Sequence, residues 1–106
     1  MAYIYQVGFD IKLEQMSQLE IGAALERTAG YLRTLLPEAP GFVTVRAMYS
    51  LDYQDSIHLV VETAWETWED LEKHRHSALA EDKVLMEFEP HISLQHLTVH
   101  IYEDVA

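Results

Sequence analysis

Residues Phe42 to Trp65 read FVTVRAMYSLDYQDSIHLVVETAW. Two alternating stretches, Phe42 to Ser50 and Ser56 to Trp65, are divided by Leu51-Asp52-Tyr53-Gln54-Asp55. Alternation with a period of two marks a strand with one buried face. With Ser50 set opposite Ser56, the register follows by counting outward. Val43, Val45, Ala47 and Tyr49 then share a face with Ile57, Leu59, Val61, Thr63 and Trp65. Thr44, Arg46 and Met48 share the other with His58, Val60 and Glu62. The first face is apolar and the second mixed, so the hairpin belongs to an antiparallel sheet that needs cover on one side.

The flanking segments supply that cover. Upstream, Tyr3 to Lys12 alternates again, with Tyr3, Tyr5, Val7, Phe9 and Ile11 on one face and Ile4, Gln6, Gly8 and Asp10 on the other. Ser17-Gln18-Leu19-Glu20 has the form of a capping box, in which serine and glutamate satisfy each other's free amides. Behind it Ile21, Leu25, Thr28, Leu32 and Leu35 recur at helical spacing, which predicts an amphipathic helix over Ser17 to Leu36, stopped by Pro37 and Pro40. Downstream, Thr67 caps a second helix with Trp68, Leu71 and His74 or Arg75 on its inner stripe. Ala78 to Phe88 is expected to continue as a kinked or separate helix up to Pro90. A last strand, from about Ile92 to Glu103, places Leu97, Val99 and Ile101 against His96, Thr98, His100 and Tyr102, with a bulge near Gln95.

The order β-α-β-β-α-β specifies an α+β, ferredoxin-like split βαβ arrangement: a four-stranded antiparallel sheet with helices on one face. The remaining sheet face carries Ile4, Met48 and Val60 among Gln6, Asp10, Arg46, His58, Glu62, His96 and His100. No element is left to cover it, so a second copy of the sheet is the expected partner, closing a dimeric α/β barrel by two-fold symmetry. The alternative is a monomer with a wet sheet face.

The 106 residues suit one domain spanning residues 1–106. Cysteine is absent, which removes disulfides, thiolate metal sites and a cysteine nucleophile. Seven Lys and Arg against eighteen Asp and Glu give a net charge of −11. A surface of that sign repels phosphate backbones and anionic lipid, so nucleic acid is not an expected partner. No apolar run is long enough to span a bilayer and the N-terminus lacks a leader pattern, so the expected setting is the cytoplasm without membrane association. No dinucleotide fingerprint, phosphate loop or nucleophile elbow is present.

Pro40-Gly41-Phe42, the hairpin, and then Trp65-Glu66-Thr67-Trp68-Glu69-Asp70-Leu71-Glu72-Lys73-His74 resemble the antibiotic biosynthesis monooxygenase (ABM) family. In that family a strand commonly ends in Trp and the following helix carries a His about nine residues on. Trp65 and His74 have this spacing, and Ser77 stands where a small polar residue is often seen. The resemblance covers most of the chain and implies a homodimeric α/β barrel with a small-molecule pocket between sheet and helices. Its members include oxygenases that act on polycyclic phenols without metal or flavin, haem-degrading enzymes, and proteins handling small metabolites. The haem-degrading branch joins an Asn on the first strand to the Trp and His. Tyr5, Val7 and Phe9 hold that face here, which departs from that branch.

On this reading His74 is the base or orienting donor and Trp65 the stacking wall, with Tyr5, Val7, Tyr49, Leu59 and Val61 lining an apolar pocket. An imidazole of near-neutral pKa takes a proton from a phenol or enol, leaving an electron-rich anion able to react with O2. No cofactor or metal is required. Two other readings stand beside it. In one, Trp65 is core, His74 holds a structural hydrogen bond, and the barrel is a non-catalytic binding or regulatory module. In the other, His58, His96 or His100 binds metal or haem. His96 and His100 lie about 13 Å apart on a strand at about 3.3 Å per residue, too far to share one ion. A hydrated dimer interface accounts for them more simply. Arg46 with Glu62 reads as a near-diagonal ion pair, the acidic run Glu62 to Glu72 as a solvated edge and helix start, and Met16, Met48 and Met86 as gap-fillers.

Overall fold

The computed structural model describes residues 2–77, 87–88 and 97–106. Strand β1 (Tyr3–Lys12) leads into helix α1 (Gln18–Leu35) and a 3-10 turn (Leu36–Glu38). Strands β2 (Phe42–Tyr49) and β3 (Ser56–Trp65), helix α2 (Trp68–Ser77) and strand β4 (Thr98–Glu103) follow. The four strands form one antiparallel sheet in the order β2-β3-β1-β4. Both α helices lie against one face of it: Ile21, Leu25 and Leu32 of α1 and Leu71 of α2 join Tyr5, Val7, Phe9, Ile11, Ile57, Leu59 and Val61 in one buried cluster. This is the expected α+β, ferredoxin-like arrangement.

Local chemistry sets the element boundaries. Ser17 Oγ accepts the Glu20 amide at 3.2 Å, and the Glu20 carboxylate accepts the Ser17 amide at 3.1 Å, completing the capping box of α1. At the other end the chain tightens into the 3-10 turn with Pro37 in its first turn. That change of pitch rotates the last residues of α1. Leu35, expected on the inner stripe, is 45% exposed, and Leu36 is buried in its stead. Gly41, with φ +79°, turns the chain into β2, and its carbonyl accepts the Glu66 amide at 2.8 Å.

The hairpin register differs from the expected one by two residues. Tyr49 stands opposite Leu59, and Ser50 faces His58 rather than Ser56. The Ser50 amide donates to the His58 carbonyl at 2.9 Å, and Ser50 Oγ accepts the His58 amide at 3.1 Å. This side-chain bond closes the hairpin earlier and leaves Ser56 and Ile57 paired with β1 alone. A slip of two preserves the faces. It also brings Arg46 directly opposite Glu62 rather than diagonal to it. A bulge between Phe42 and Thr44 corrects a second expectation: Val43, assigned to the apolar face, is 50% exposed, while Phe42 packs on the core.

Of the expected final strand, β4 holds Thr98–Glu103 among the described residues. Ile92, the bulge at Gln95, His96 and the Ala78 to Met86 segment lie outside them, as do Pro90 and the side chain of Ser77. On the sheet face opposite the helices, Arg46, Glu62, Gln6 and His100 stand side by side across all four strands. Glu62 accepts from Arg46 Nη2 at 2.7 Å and Nε at 3.1 Å, and from Gln6 Nε2 at 3.2 Å. Apolar positions flank this polar row: Met48 and Val60 on one side, Ala64, Ile4 and Tyr102 on the other.

Candidate functional site

Trp65 is the last residue of β3, and its side chain turns toward the helices because Leu59, Val61 and Thr63 occupy the same face. Thr63, two residues back, accepts the indole N–H at 2.9 Å, so the ring is held in the core with its polar atom satisfied. Phe42 meets it edge-on at 5.7 Å.

His74 reaches the same place from α2. Thr67 Oγ1 accepts the Asp70 amide at 3.1 Å and its hydroxyl donates to the Asp70 carboxylate at 2.8 Å, which fixes the helix start. From there Leu71 and His74, three residues apart, point into the sheet. Trp68 was expected on this stripe as well. It is instead 44% exposed and meets Tyr3 edge-on at 6.1 Å, because the stripe covers the end of the sheet and leaves the first turn at the rim. Arg75 is exposed and pairs with Glu72.

The His74 and Trp65 rings stack with centroids 4.7 Å apart and an angle of 28° between planes. Tyr5 meets the imidazole edge-on at 5.3 Å. Only 5% of His74 is exposed. Burial away from water penalises the charged form and draws its pKa from 6.5 down to about 4. The near-neutral imidazole expected from sequence is therefore a neutral one throughout the physiological range.

A cavity of about 250 Å³ opens beside this stack, lined by Leu35, Leu36, Ala39 and Pro40 on one side and Trp65, Asp70, Lys73 and His74 on the other. Trp65, His74 and Tyr5 are thus brought together. Val7, Leu59 and Val61 are packed in the core at no more than 1% exposure and do not line the cavity. Tyr49 lies elsewhere, in a larger and more open depression of about 440 Å³ between α1 and β2, with Leu25, Ala29, Arg33 and Leu51. The smaller cavity is the better candidate because an aromatic wall and a titratable group converge on it. Sequence reasoning did not find Leu36, Ala39, Pro40, Asp70 and Lys73. Pro40, Asp70 and Lys73 do stand within the two segments that carry the family resemblance.

Among the described residues no group of three or more His, Asp or Glu side chains is placed to hold a metal ion. His58 Nδ1 lies 3.0 Å from Asp10 on the open sheet face, and His100 stacks on Tyr102 at 6.1 Å.

No family model and no curated protein matches the chain. Solved structures do. A variant of SnoaB, a cofactor-independent oxygenase from Streptomyces nogalater, superposes with a TM-score of 0.61 at 13% identity, over 97% of this chain and 92% of that one. A Nitrosomonas europaea protein provisionally assigned as an antibiotic biosynthesis monooxygenase gives 0.59 at 14% identity, over 98% and 90%. The fold is that of the ABM-like proteins. A dimeric protein of unknown function and ferredoxin-like fold from Bacteroides fragilis superposes with a TM-score of 0.66 at 8% identity, over 97% of this chain and 96% of that one. At such identities the likeness concerns the ABM-like fold alone.

Proposed function

We propose that the chain is a cytoplasmic, homodimeric, cofactor-independent oxygenase of the ABM type, acting on a small aromatic or enolisable molecule held in the Trp65–His74 cavity. The observation that carries the reading is the buried Trp65–His74 stack, buttressed by Tyr5, on the wall of that cavity. The relationship of fold to SnoaB supports it.

The chemistry needs a base, an apolar wall and O2. His74 accepts a proton from the substrate's phenolic or enolic hydroxyl. At a pKa of about 4 its protonated form costs about 4 kcal/mol at pH 7, from about 1.36 kcal/mol per unit. The substrate anion formed beside it offsets much of that, since an opposite charge at contact raises an imidazole pKa. Trp65 stacks on the ring and excludes water. The anion passes an electron to O2 and the resulting pair recombines at carbon as a hydroperoxide. Loss of water then converts a ring methylene to a carbonyl. One oxygen atom enters the product and the other leaves as water. All the electrons come from the substrate carbon, so no reductant is consumed.

Oxygen uptake with a panel of hydroxylated aromatics and anthrone-type ketones tests this. His74→Ala is expected to lower kcat by about a hundredfold or more, the usual scale of general-base loss, and Trp65→Phe mainly to raise KM. Full activity in His74→Ala would sink the catalytic assignment. The second reading is a non-catalytic dimeric binding or regulatory module, in which the same cavity of about 250 Å³ takes a ligand without chemistry on it. Stoichiometric ligand binding without oxygen uptake would select it.

A further inference from the structure

The cavity is apolar where the 3-10 turn lines it and charged where α2 does. Asp70 and Lys73 supply the charge, and they are not equivalent. Asp70 is committed to the start of α2 through Thr67 at 2.8 and 3.1 Å. It is also wedged against Gly41, where even a Cβ would collide with it. Lys73 is exposed on the cavity rim and makes no ion pair among the described residues. Arg27, Arg46 and Arg75 each hold a carboxylate, while Lys12 and Arg33, which make no ion pair among the described residues either, line other depressions. In a chain of net charge −11, an ammonium with no carboxylate partner among the described residues, at the mouth of a largely apolar cavity, is a local attractor for an anion. Its aliphatic stem can lie along the rim while the charge reaches the mouth. The next residue on the helix, His74, stacks on Trp65 at the cavity wall.

We propose that the ligand of this cavity is an organic acid: a hydroxylated aromatic or enolic carboxylate whose ring lies against Trp65, Leu36 and Pro40, whose hydroxyl meets His74, and whose carboxylate is held by Lys73. Lys73 is then the residue that sets substrate class. The assignment rests on the cavity being the ligand site, as in the function proposed above.

Calorimetric titration with a hydroxynaphthoate and with the neutral hydroxynaphthamide of the same ring positions separates the two claims. At low salt the acid is expected to bind about tenfold more tightly than the amide, a preference that shrinks as ionic strength rises. Lys73→Gln is expected to bring the acid down to the affinity of the amide and leave the amide unchanged. Lys73→Arg should keep the preference. Equal affinities in the unaltered protein, or an acid indifferent to Lys73→Gln, would overturn the anion assignment and leave the cavity as a neutral aryl site. Failure of both probes to bind would overturn the cavity reading itself, and the role of Lys73 with it.

Discussion

His74 is decided by depth more than by neighbours. Its pKa falls from 6.5 to about 4 because burial penalises the imidazolium. Between those two values the unfolded chain binds a proton that the folded chain refuses. Stability from this group is therefore full above pH 6.5, declines as pH falls, and reaches its floor below about pH 4. The full penalty is about 3 kcal/mol, of which about 2 kcal/mol has developed by pH 5. Urea melts of the unaltered protein and of His74→Phe at pH 7 and pH 5 isolate it: the difference between the two proteins should shift by about 2 kcal/mol in favour of the variant at pH 5. An unchanged difference would mean that His74 is hydrated. The same depth bears on catalysis. Activity that depends on neutral His74 should stay level from pH 8 to pH 5 rather than fall below pH 6.5, which a pH–rate profile reads directly.

Among the elements, the 3-10 turn and the bend after it position the site, since they place Leu36, Ala39 and Pro40 against Trp65 and Asp70. Gly41 makes that bend possible with φ +79°, a conformation costing other residues about 1–2 kcal/mol. A Cβ there would also strike Asp70 at its own Cβ, too near the backbone to swing aside. Gly41→Ala should lower stability by about 2 kcal/mol or more. Gly30→Ala, on the exposed side of α1 with nothing within 4 Å of the added carbon, should raise it by about 0.5–1 kcal/mol. Denaturant midpoints that move in the same direction for both would refute this account of the bend. The elements themselves were largely legible in the sequence. Alternation delimits β1 and β3, and the Ser17–Glu20 box marks the start of α1. The register was not, because one side-chain bond from Ser50 decides where the hairpin closes, and both closures keep the same faces. Nor was the bulge legible, since Phe42 and Val43 are both apolar and either can fill the core position. For the site, helical spacing left His74 and Arg75 as alternatives on the inner stripe of α2 and did not give the depth of either. It also did not separate the wall of a cavity from packed core, a distinction set by where α1 ends and the turn begins.

At the scale of the molecule, the sheet face turned away from the helices argues for a second copy. Its central row, Arg46–Glu62–Gln6–His100, is hydrogen-bonded across the first three strands, and Glu62 is only 8% exposed on a face no described helix covers. The rows beside it are largely apolar or small: Met48, Val60 and Gly8 with Thr98 on one side, Ala64, Ile4 and Tyr102 with Thr44 on the other. A two-fold partner laid on this face would bury those rows and bring like polar groups together at the axis. Val60 is the position at which to test this, because it is half-buried in one chain and would lie inside the barrel of two. Lys at this position keeps its charge in water in a single chain, so the fold should survive. In the barrel it would place two unpaired ammonium groups in the interior, at a cost of several kcal/mol for each. Sedimentation equilibrium should therefore show two chains for the unaltered protein and one for Val60→Lys, with Val60→Thr still paired. A paired Val60→Lys would mean that the copies meet elsewhere. The same monomer answers a second question. Trp65 and His74 lie on the opposite side of the sheet, the side the helices cover. A monomeric Val60→Lys that still binds the hydroxynaphthoate would show that pairing supports the barrel without completing the site. One that has lost binding while its helix content and denaturation midpoint are intact would place part of the site across the two-fold axis.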